Sequence, residues 1–365
     1  MTAASPSLAH LAALTDARGI FEHAKFDEPR LEHGYCLDDN ARALIVAVRE
    51  DGVSDVAARL AETYLGFVDD AVGEDGRAHN RMDVAGRWLD QPSVDDWWGR
   101  AVWALGVAAA RSSDSGLAAR ARSVFHRAAR TNSSFLRTMC FAALGTAEVL
   151  AEDPQDAAAR RLLKRAVDVI TSATSPLWEW PEDRLHYANA VIPEAIIAAG
   201  ASLGDASLVR RGVRLLDFLV GIEIRDGHLS VTPAQGRGPD DPSPAFDQQP
   251  IEVAAIADAA ARAFEATGDE RWIDPIRMAW AWFEGDNDIE AVMYDAETGA
   301  GFDGLTPVGR NENRGAESTV AALSTLQCAI RVGAASDQMV TASAHRRSDD
   351  GGRSSSGISA PAVEP

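Results

Sequence analysis

Lysine is scarce: Lys25 and Lys164 are the only two in 365 residues, and arginine supplies the rest of the positive charge. We read this as a high-GC coding bias rather than chemistry. Positive charge as a whole is short, with 35 basic residues against 55 acidic ones and a formal net charge of −20. So acidic a chain repels phosphate backbones and anionic lipid, which argues against nucleic-acid and membrane partners. Cysteine is limited to Cys36, Cys140 and Cys328, far apart and without a CxxC pair. That argues against a disulfide framework or a structural zinc site and fits a reducing compartment. The histidines form no HExxH or HxH pattern, and no Walker loop, GxGxxG or GxSxG is present, so neither a metal nor a cofactor is expected. No apolar run reaches the roughly 18 residues of a membrane span. The opening MTAASPSLAHLAAL lacks the basic start and long apolar run of a signal peptide, so a cytoplasmic location is expected.

What the chain has is helix of two kinds in alternation. One kind is rich in Ala, Gly and Ser nearly all round: Asp39–Val48, Asp96–Ala110, Ser134–Leu150, Tyr187–Leu203, Pro250–Ala266 and Gly315–Ile330. Such helices are buried, and small residues let their backbones approach closely. The other kind carries a single apolar stripe among charges: Ser7–Leu14, Asp55–Val72, Ser115–Arg130, Gln155–Thr171, Ala206–Val220 and Glu270–Phe283. That pattern suits an outer layer with one wet face. Six inner helices wrapped by six outer ones make an all-α (α/α)6 barrel, expected over residues 1–332 as one domain. An α-solenoid is disfavoured because no fixed repeat period is found. Residues 333–365 are Ser/Gly/Pro-rich and are expected to form a disordered tail.

Long Gly/Pro/Trp-rich loops precede inner helices at Gly73–Val94, Ser175–His186, Ile224–Gln249 and Glu284–Arg314, with GFDGL and RDGHLSV reading as strand–turn pieces. Loops of this length are usually functional. Polar and aromatic residues gather where these loops meet the inner helices. HGYCLDDNARAL carries Tyr35, Asp38, Asp39 and Arg42; DDWWGRA carries Asp95, Asp96, Trp97, Trp98 and Arg100. LWEWPEDRLHYANA carries Trp178, Trp180, Glu182, Tyr187 and Asn189; DQQPIEVAA carries Gln248, Gln249 and Glu252; NRGAEST carries Asn313, Arg314 and Glu317. Helix capping explains any one of these about as well as function does. Capping needs one side chain, however, and the Asp38-Asp39 and Asp95-Asp96 pairs offer two. Glu252 and Glu317 lie inside helices expected to be buried, where a carboxylate needs a partner or a wet cavity. Arg42, Arg100 and Arg314 are the plausible partners.

Carboxylates, amides, arginines and tryptophans at one mouth describe a carbohydrate site, with indole faces for sugar C–H surfaces and polar groups for hydroxyls. Glycosidic cleavage needs two carboxyls across the bond. The catalytic pool is Asp38, Asp39, Asp95, Asp96, Glu252 and Glu317. Asp39 with Glu317 is the preferred pair, because ring closure makes the first and last inner helices neighbours. The remaining residues named at the mouth are expected to bind sugar. A DDxxD diphosphate motif is absent, and a sugar epimerase would draw on His33, His186 or His228.

Together, HGYCLDDNARAL, DDWWGRA, the LWEWPEDRLHYANA run, DQQPIEVAA and NRGAEST give a resemblance from about Leu8 to Ile330. The chain resembles bacterial glycosyltransferase-associated, six-hairpin glycosidase-like proteins marked by GYC-x-DDNARAL. The resemblance implies the barrel fold and a carbohydrate context. A glycosyltransferase domain is not expected within these helices. The expected activity is glycoside hydrolysis of short oligosaccharides. The alternatives are a non-catalytic glycan-binding partner of a glycosyltransferase encoded nearby, and a sugar epimerase or isomerase.

Overall fold

The computed structural model describes residues 6–50 and 54–334. Of the segment expected as a disordered tail, only Gly333 and Ala334 fall within the described residues, where they close the last helix: the Ala334 N–H donates to Ala329 O at 2.7 Å. The rest of that segment lies outside them.

Twelve helices are described. Those of the small-residue kind are α2 (Leu37–Arg49), α4 (Asp96–Arg111), α6 (Leu136–Glu152), α8 (Val191–Leu203), α10 (Pro250–Thr267) and α12 (Ala316–Arg331). Those with one apolar stripe are α1 (Ala9–Ala13), α3 (Asp55–Ala71), α5 (Ser115–Ala128), α7 (Ala157–Ser172), α9 (Ala206–Glu223) and α11 (Ile273–Glu284). The packing order follows the two kinds. Successive small-residue helices pack on each other from α2 through α12, and α12 packs on α2. Each of α2, α4, α6, α8 and α10 packs on the striped helix that follows it, and α1 packs on α12. One continuous apolar cluster runs through all of them, from Leu8 to Ala329. No helix among the described residues is long and apolar enough to cross a membrane.

Small residues set the tightest contact. A Cβ placed on Gly106 of α4 would lie 2.1 Å from the Gly145 carbonyl oxygen of α6, and one on Gly145 would lie 2.1 Å from Val102 O. Only glycine permits backbone against backbone there.

The first striped helix is shorter than its expected Ser7–Leu14 span. Its chain turns at Asp16, whose carboxylate accepts from the Arg18 and Gly19 N–H groups, and Thr15 bridges back to Ile20. This local hydrogen bonding competes with further helix. The fourth small-residue helix begins at Val191 rather than Tyr187, because Tyr187–Ala190 form a turn with Ala188 at φ +45°.

The loops contain five two-stranded ribbons, so the chain is not purely helical. They pair β1 (Ala24–Lys25) with β2 (Glu28–Pro29), β3 (Tyr35–Cys36) with β4 (Arg81–Met82), and β5 (Ile224–Arg225) with β6 (His228–Leu229). Further along, β7 (Tyr294–Asp295) pairs with β8 (Ala300–Gly301), and β9 (Gly304–Thr306) with β10 (Gly309–Asn311). The RDGHLSV segment forms β5–β6 as its turn residues suggest. The β3–β4 ribbon matters most for the site, since it clips the loop before α4 to the chain entering α2. It needs Gly34, at φ +65°, where a Cβ would sit 2.2 Å from Met82 O.

Candidate functional site

Side-chain contacts bring the first turns of the small-residue helices together. Arg42 of α2 reaches Glu317 of α12, Arg100 of α4 reaches Asp38 of α2, and Thr138 of α6 donates to Asp96 of α4. Glu252 of α10 accepts from the Ala188–Asn189 turn ahead of α8. Most of the acids at these helix starts are not caps. The striped helices α5, α7 and α9 are capped by Asp114, Asp156 and Asp205, which accept from the N–H groups of the first turn. The residues before α4, α10 and α12 make no side-chain cap bond, and α2 is capped by the Cys36 sulfur. Asp38, Asp39, Asp96, Glu252 and Glu317 are therefore free to face other helices.

The centre of the arrangement is Arg42. Its Nη2 donates to Asp39 Oδ1 at 2.6 Å and to Asp38 Oδ2 at 3.4 Å, and its Nη1 donates to Glu317 Oε2 at 3.0 Å. Asp39 and Glu317 thus share one guanidinium, as neighbours across the α2–α12 contact. Their surroundings differ. Asp39 is 3% exposed, and its second oxygen accepts from the Cys36 thiol at 3.1 Å. The Glu317 side chain is 42% exposed. Burial, helped by the charges of Asp38 and Glu317, outweighs Arg42 and pushes the Asp39 carboxyl up to about 7. At Asp38 the balance is reversed: burial would raise it, but Arg100 and Arg42 hold it below the usual carboxylate range. Asp38 is therefore ionised at neutral pH, and its Oδ1 is buried without a hydrogen-bond partner.

A second cluster is organised by Arg137 of α6. It makes a two-pronged pair with Glu182, at 2.6 and 2.7 Å, and donates to Tyr187 O at 2.7 Å and Asn189 Oδ1 at 3.3 Å. The Tyr187 ring lies 5.1 Å from the Arg137 guanidinium carbon and 5.7 Å from that of Arg100, linking the clusters. Glu252 accepts from Asn189 Nδ2 at 2.9 Å, and burial pushes its carboxyl up to about 7 against these bonds. Sequence reasoning assigned no role to Arg137. Its signal was an arginine in the first turn of a helix whose residues are buried from there to Leu150.

Several residues expected to bind sugar are committed elsewhere. Trp98 and Trp180 are both 0% exposed, so neither has a face to offer a ligand. Trp180 stacks on Phe218 of the striped helix α9, and Trp178 meets the same ring edge-on while donating to Glu182 O at 2.7 Å. Tyr35 is buried against Phe21 and donates to Asp16 at 2.7 Å. Gln248 is buried, donating to Asp288 at 2.6 Å and accepting from Trp282 Nε1 at 3.3 Å, which makes it a strut between loops. Trp97 remains half-buried, with its Nε1 on Ala78 O at 3.1 Å. Gln249 is half-buried at the start of α10, Asn313 accepts from Phe26 N at 3.0 Å, and Arg314 lies over Phe302. Asp95 accepts from the Ser93 hydroxyl beside its own helix. Among the described residues no hydrogen bond or ion pair joins any of these five to the Arg42 cluster.

Among the described residues, one set of side chains has the spacing to hold a metal: Glu22, Cys36 and Asp39, with ligand atoms within 4.8 Å of one another. Each already has a partner, since Arg81 pairs with Glu22, Arg42 with Asp39, and the Cys36 thiol donates to Asp39. Burial pushes that thiol well up, which disfavours the thiolate a metal requires.

Beneath the Arg42 cluster lies a cavity of about 60 Å³ to which all six small-residue helices contribute, from Arg42 and Arg100 to Glu194, Asp258 and Ser324. Further charges are paired among the helices around it. Arg49 of α2 donates to Asp258 of α10 and to Ser324 of α12, both at 2.9 Å. Glu148 of α6 accepts from Arg111 of α4 and from Arg262 of α10, both at 2.7 Å.

No family model matches the chain, and no curated protein sequence matches it. Solved structures do. A sugar epimerase from a ruminal bacterium superposes with a TM-score of 0.68 at 14% identity, covering 89% of this chain and 95% of that one. A cellobiose 2-epimerase from Bacillus thermoamylovorans gives 0.64 at 12%, covering 88% and 96%. A GH127 β-arabinofuranosidase gives 0.58 at 14%, covering 82% of this chain and 53% of that one. At these identities the likeness establishes a shared fold. Enzymes of both kinds, epimerases and glycoside hydrolases, are built on it.

Proposed function

We propose that the chain closes as an (α/α)6 barrel and is a carbohydrate-active enzyme, a glycoside hydrolase acting at the Arg42 cluster. The observation that carries this reading is the convergence of Asp38, Asp39 and Glu317 on one guanidinium, with Glu317 the most exposed of the three. Glycosidic cleavage asks for one carboxyl to protonate the leaving oxygen and another to activate water or attack the anomeric carbon. Glu317 is the group a sugar can reach, and we assign it the proton transfer. Asp38, held ionised by two arginines, is the second carboxyl. Asp39 is too enclosed to touch a substrate; it is a positioning residue that fixes Arg42 and, through it, Glu317. The Arg137 cluster with Tyr187 offers hydrogen bonds and an aromatic face beside it.

The breadth of coverage by the two epimerase structures favours a second reading, a sugar epimerase or isomerase on the same site. One experiment separates the readings. The protein is incubated with a panel of oligosaccharides and aryl glycosides, and products are resolved by chromatography. Shortened products that vanish in Glu317→Gln support the hydrolase. An isomer of unchanged length supports the epimerase. Binding without turnover supports a glycan-binding partner protein, and turnover undiminished in Glu317→Gln refutes the assignment of that residue.

A further inference from the structure

One acid on the wall of the 60 Å³ cavity has no partner. Glu194, in the first turn of α8, is 3% exposed, and no described residue forms a hydrogen bond or ion pair with its carboxyl. The other charged groups on that wall have ion-pair partners, although Arg100 Nε is buried without a hydrogen bond. Arg42 and Arg100 bind the carboxylates above, and Asp258 accepts from Arg49 at 2.9 Å, Ser324 at 3.1 Å and the Cys328 thiol at 3.3 Å. Burial, reinforced by the charge of Asp258 and opposed by Arg262 and Arg49, pushes Glu194 well up, so at neutral pH it offers an O–H as well as an acceptor. A buried polar group left unpaired is costly, and its persistence points to something that fills the space.

The cavity's size and lining narrow what that is. At roughly 10–15 Å³ of such volume per water, it has room for about four to six water-sized atoms. Apart from its charged groups and Ser324, the wall is apolar and includes Ile45, Trp103, Phe141, Val191 and Val320, a surface for C–H groups. We infer that the cavity is a subsite for the hydroxyl-bearing edge of a single terminal sugar ring, with Glu194 as its specificity-determining hydrogen-bond partner. This rests on the carbohydrate reading above and deepens it. A hydroxymethyl arm or a two-carbon edge fits, whereas a whole pyranose does not. The ring enters end-on beneath Glu317, so the site selects chain ends over internal units.

The test is calorimetric titration of the full chain with methyl glycosides of glucose, mannose and galactose, and with their singly deoxygenated relatives. The wild type binds one parent glycoside and loses about tenfold or more for the relative lacking the inserted hydroxyl. Glu194→Leu binds the parent as weakly as the wild type binds that relative and no longer distinguishes the two, with an undiminished melting temperature. Glu194→Gln, which keeps a donor and an acceptor, stays within several-fold of wild type. Ala321→Leu, which fills the cavity from α12, gives the same loss without touching Glu194. Parent binding unchanged in Glu194→Leu, or discrimination that persists there, overturns the subsite and leaves the carbohydrate reading standing. Failure of the wild type to bind any glycoside overturns both.

Discussion

Replacing Arg42 with methionine is expected to destabilise the protein by an amount that grows with pH. The side chain keeps its length, but Asp39 loses its 2.6 Å partner, while Asp38 retains Arg100 and Glu317 remains open to water. Charged hydrogen bonds of this kind are worth about 1.5–3 kcal/mol. The exposed bond to Glu317 is discounted for solvent screening. The cost near pH 7 is therefore about 2–4 kcal/mol. The pH dependence comes from Asp39. Its carboxyl sits at about 7 in the folded state, above its unfolded value. Between those two values the folded state holds the extra proton, so stability falls as pH rises and then levels off above about 7. Without Arg42 the folded value moves higher still, and the decline continues where the wild type has levelled. The difference between the proteins should widen by up to about 1.4 kcal/mol per pH unit above pH 7. Glu223 and Glu252 also titrate with raised values, but they do so in both proteins and largely cancel. Urea unfolding followed by tryptophan fluorescence at pH 6, 7, 8 and 9 measures this directly. In an Asp39→Asn background the widening should disappear. A difference that is flat or shrinks with pH would show that Arg42 does not set the Asp39 titration.

Gly145→Val should cost more than 3 kcal/mol or prevent folding, since its Cβ meets the α4 backbone at 2.1 Å; circular dichroism melts decide it. Glu148, which burial would raise but Arg262 and Arg111 lower to about 2, stabilises the fold above its unfolded value near 4.5 and loses that contribution as pH falls through 2. Glu148→Gln should remove that acid-range loss relative to wild type, while costing about 1.5–3 kcal/mol at pH 7 through the charged bonds it gives up to half-buried Arg262, the bond to solvent-exposed Arg111 adding little. Ala188→Gly should be neutral or stabilise by up to about 1 kcal/mol in thermal melts, because φ +45° suits glycine, provided the turn still receives Glu252.

The alternation of helices was legible because burial on all sides and burial on one side leave different compositions. Residues 136–152, with Phe, Ala, Leu and Gly in every direction, could only be interior, and residues 157–172, with Arg and Asp on one flank, could only be peripheral. A ring order of helices puts the first and last small-residue helices side by side, and α2 does meet α12, through Arg42 and Glu317. Helix starts are less legible, since the Tyr187–Ala190 turn is held by groups far along the chain, Arg137 and Glu252, that bond its backbone. The tryptophans misled for a similar reason. Trp97 and Trp98 are adjacent in sequence but a third of a turn apart on the helix, which leaves one half-buried and the other in the core. Composition in a loop cannot say which surface a side chain covers, so Trp178 and Trp180 read as sugar platforms although they pack on Phe218 of α9. Glu194 and Asp258 sit in Ala-rich runs like any helix acid, and only the cavity they share sets them apart.

Hydrolysis is tested most directly by mass spectrometry of borohydride-reduced oligosaccharides, whose alditol ends cannot exchange oxygen with solvent, incubated with the protein in ¹⁸O-water. The wild type is expected to form new, shorter sugars that carry one heavy oxygen from water, and Glu317→Gln is not. Sugars whose masses are unchanged after prolonged incubation, or heavy-oxygen products formed equally by the variant, would contradict the hydrolase reading.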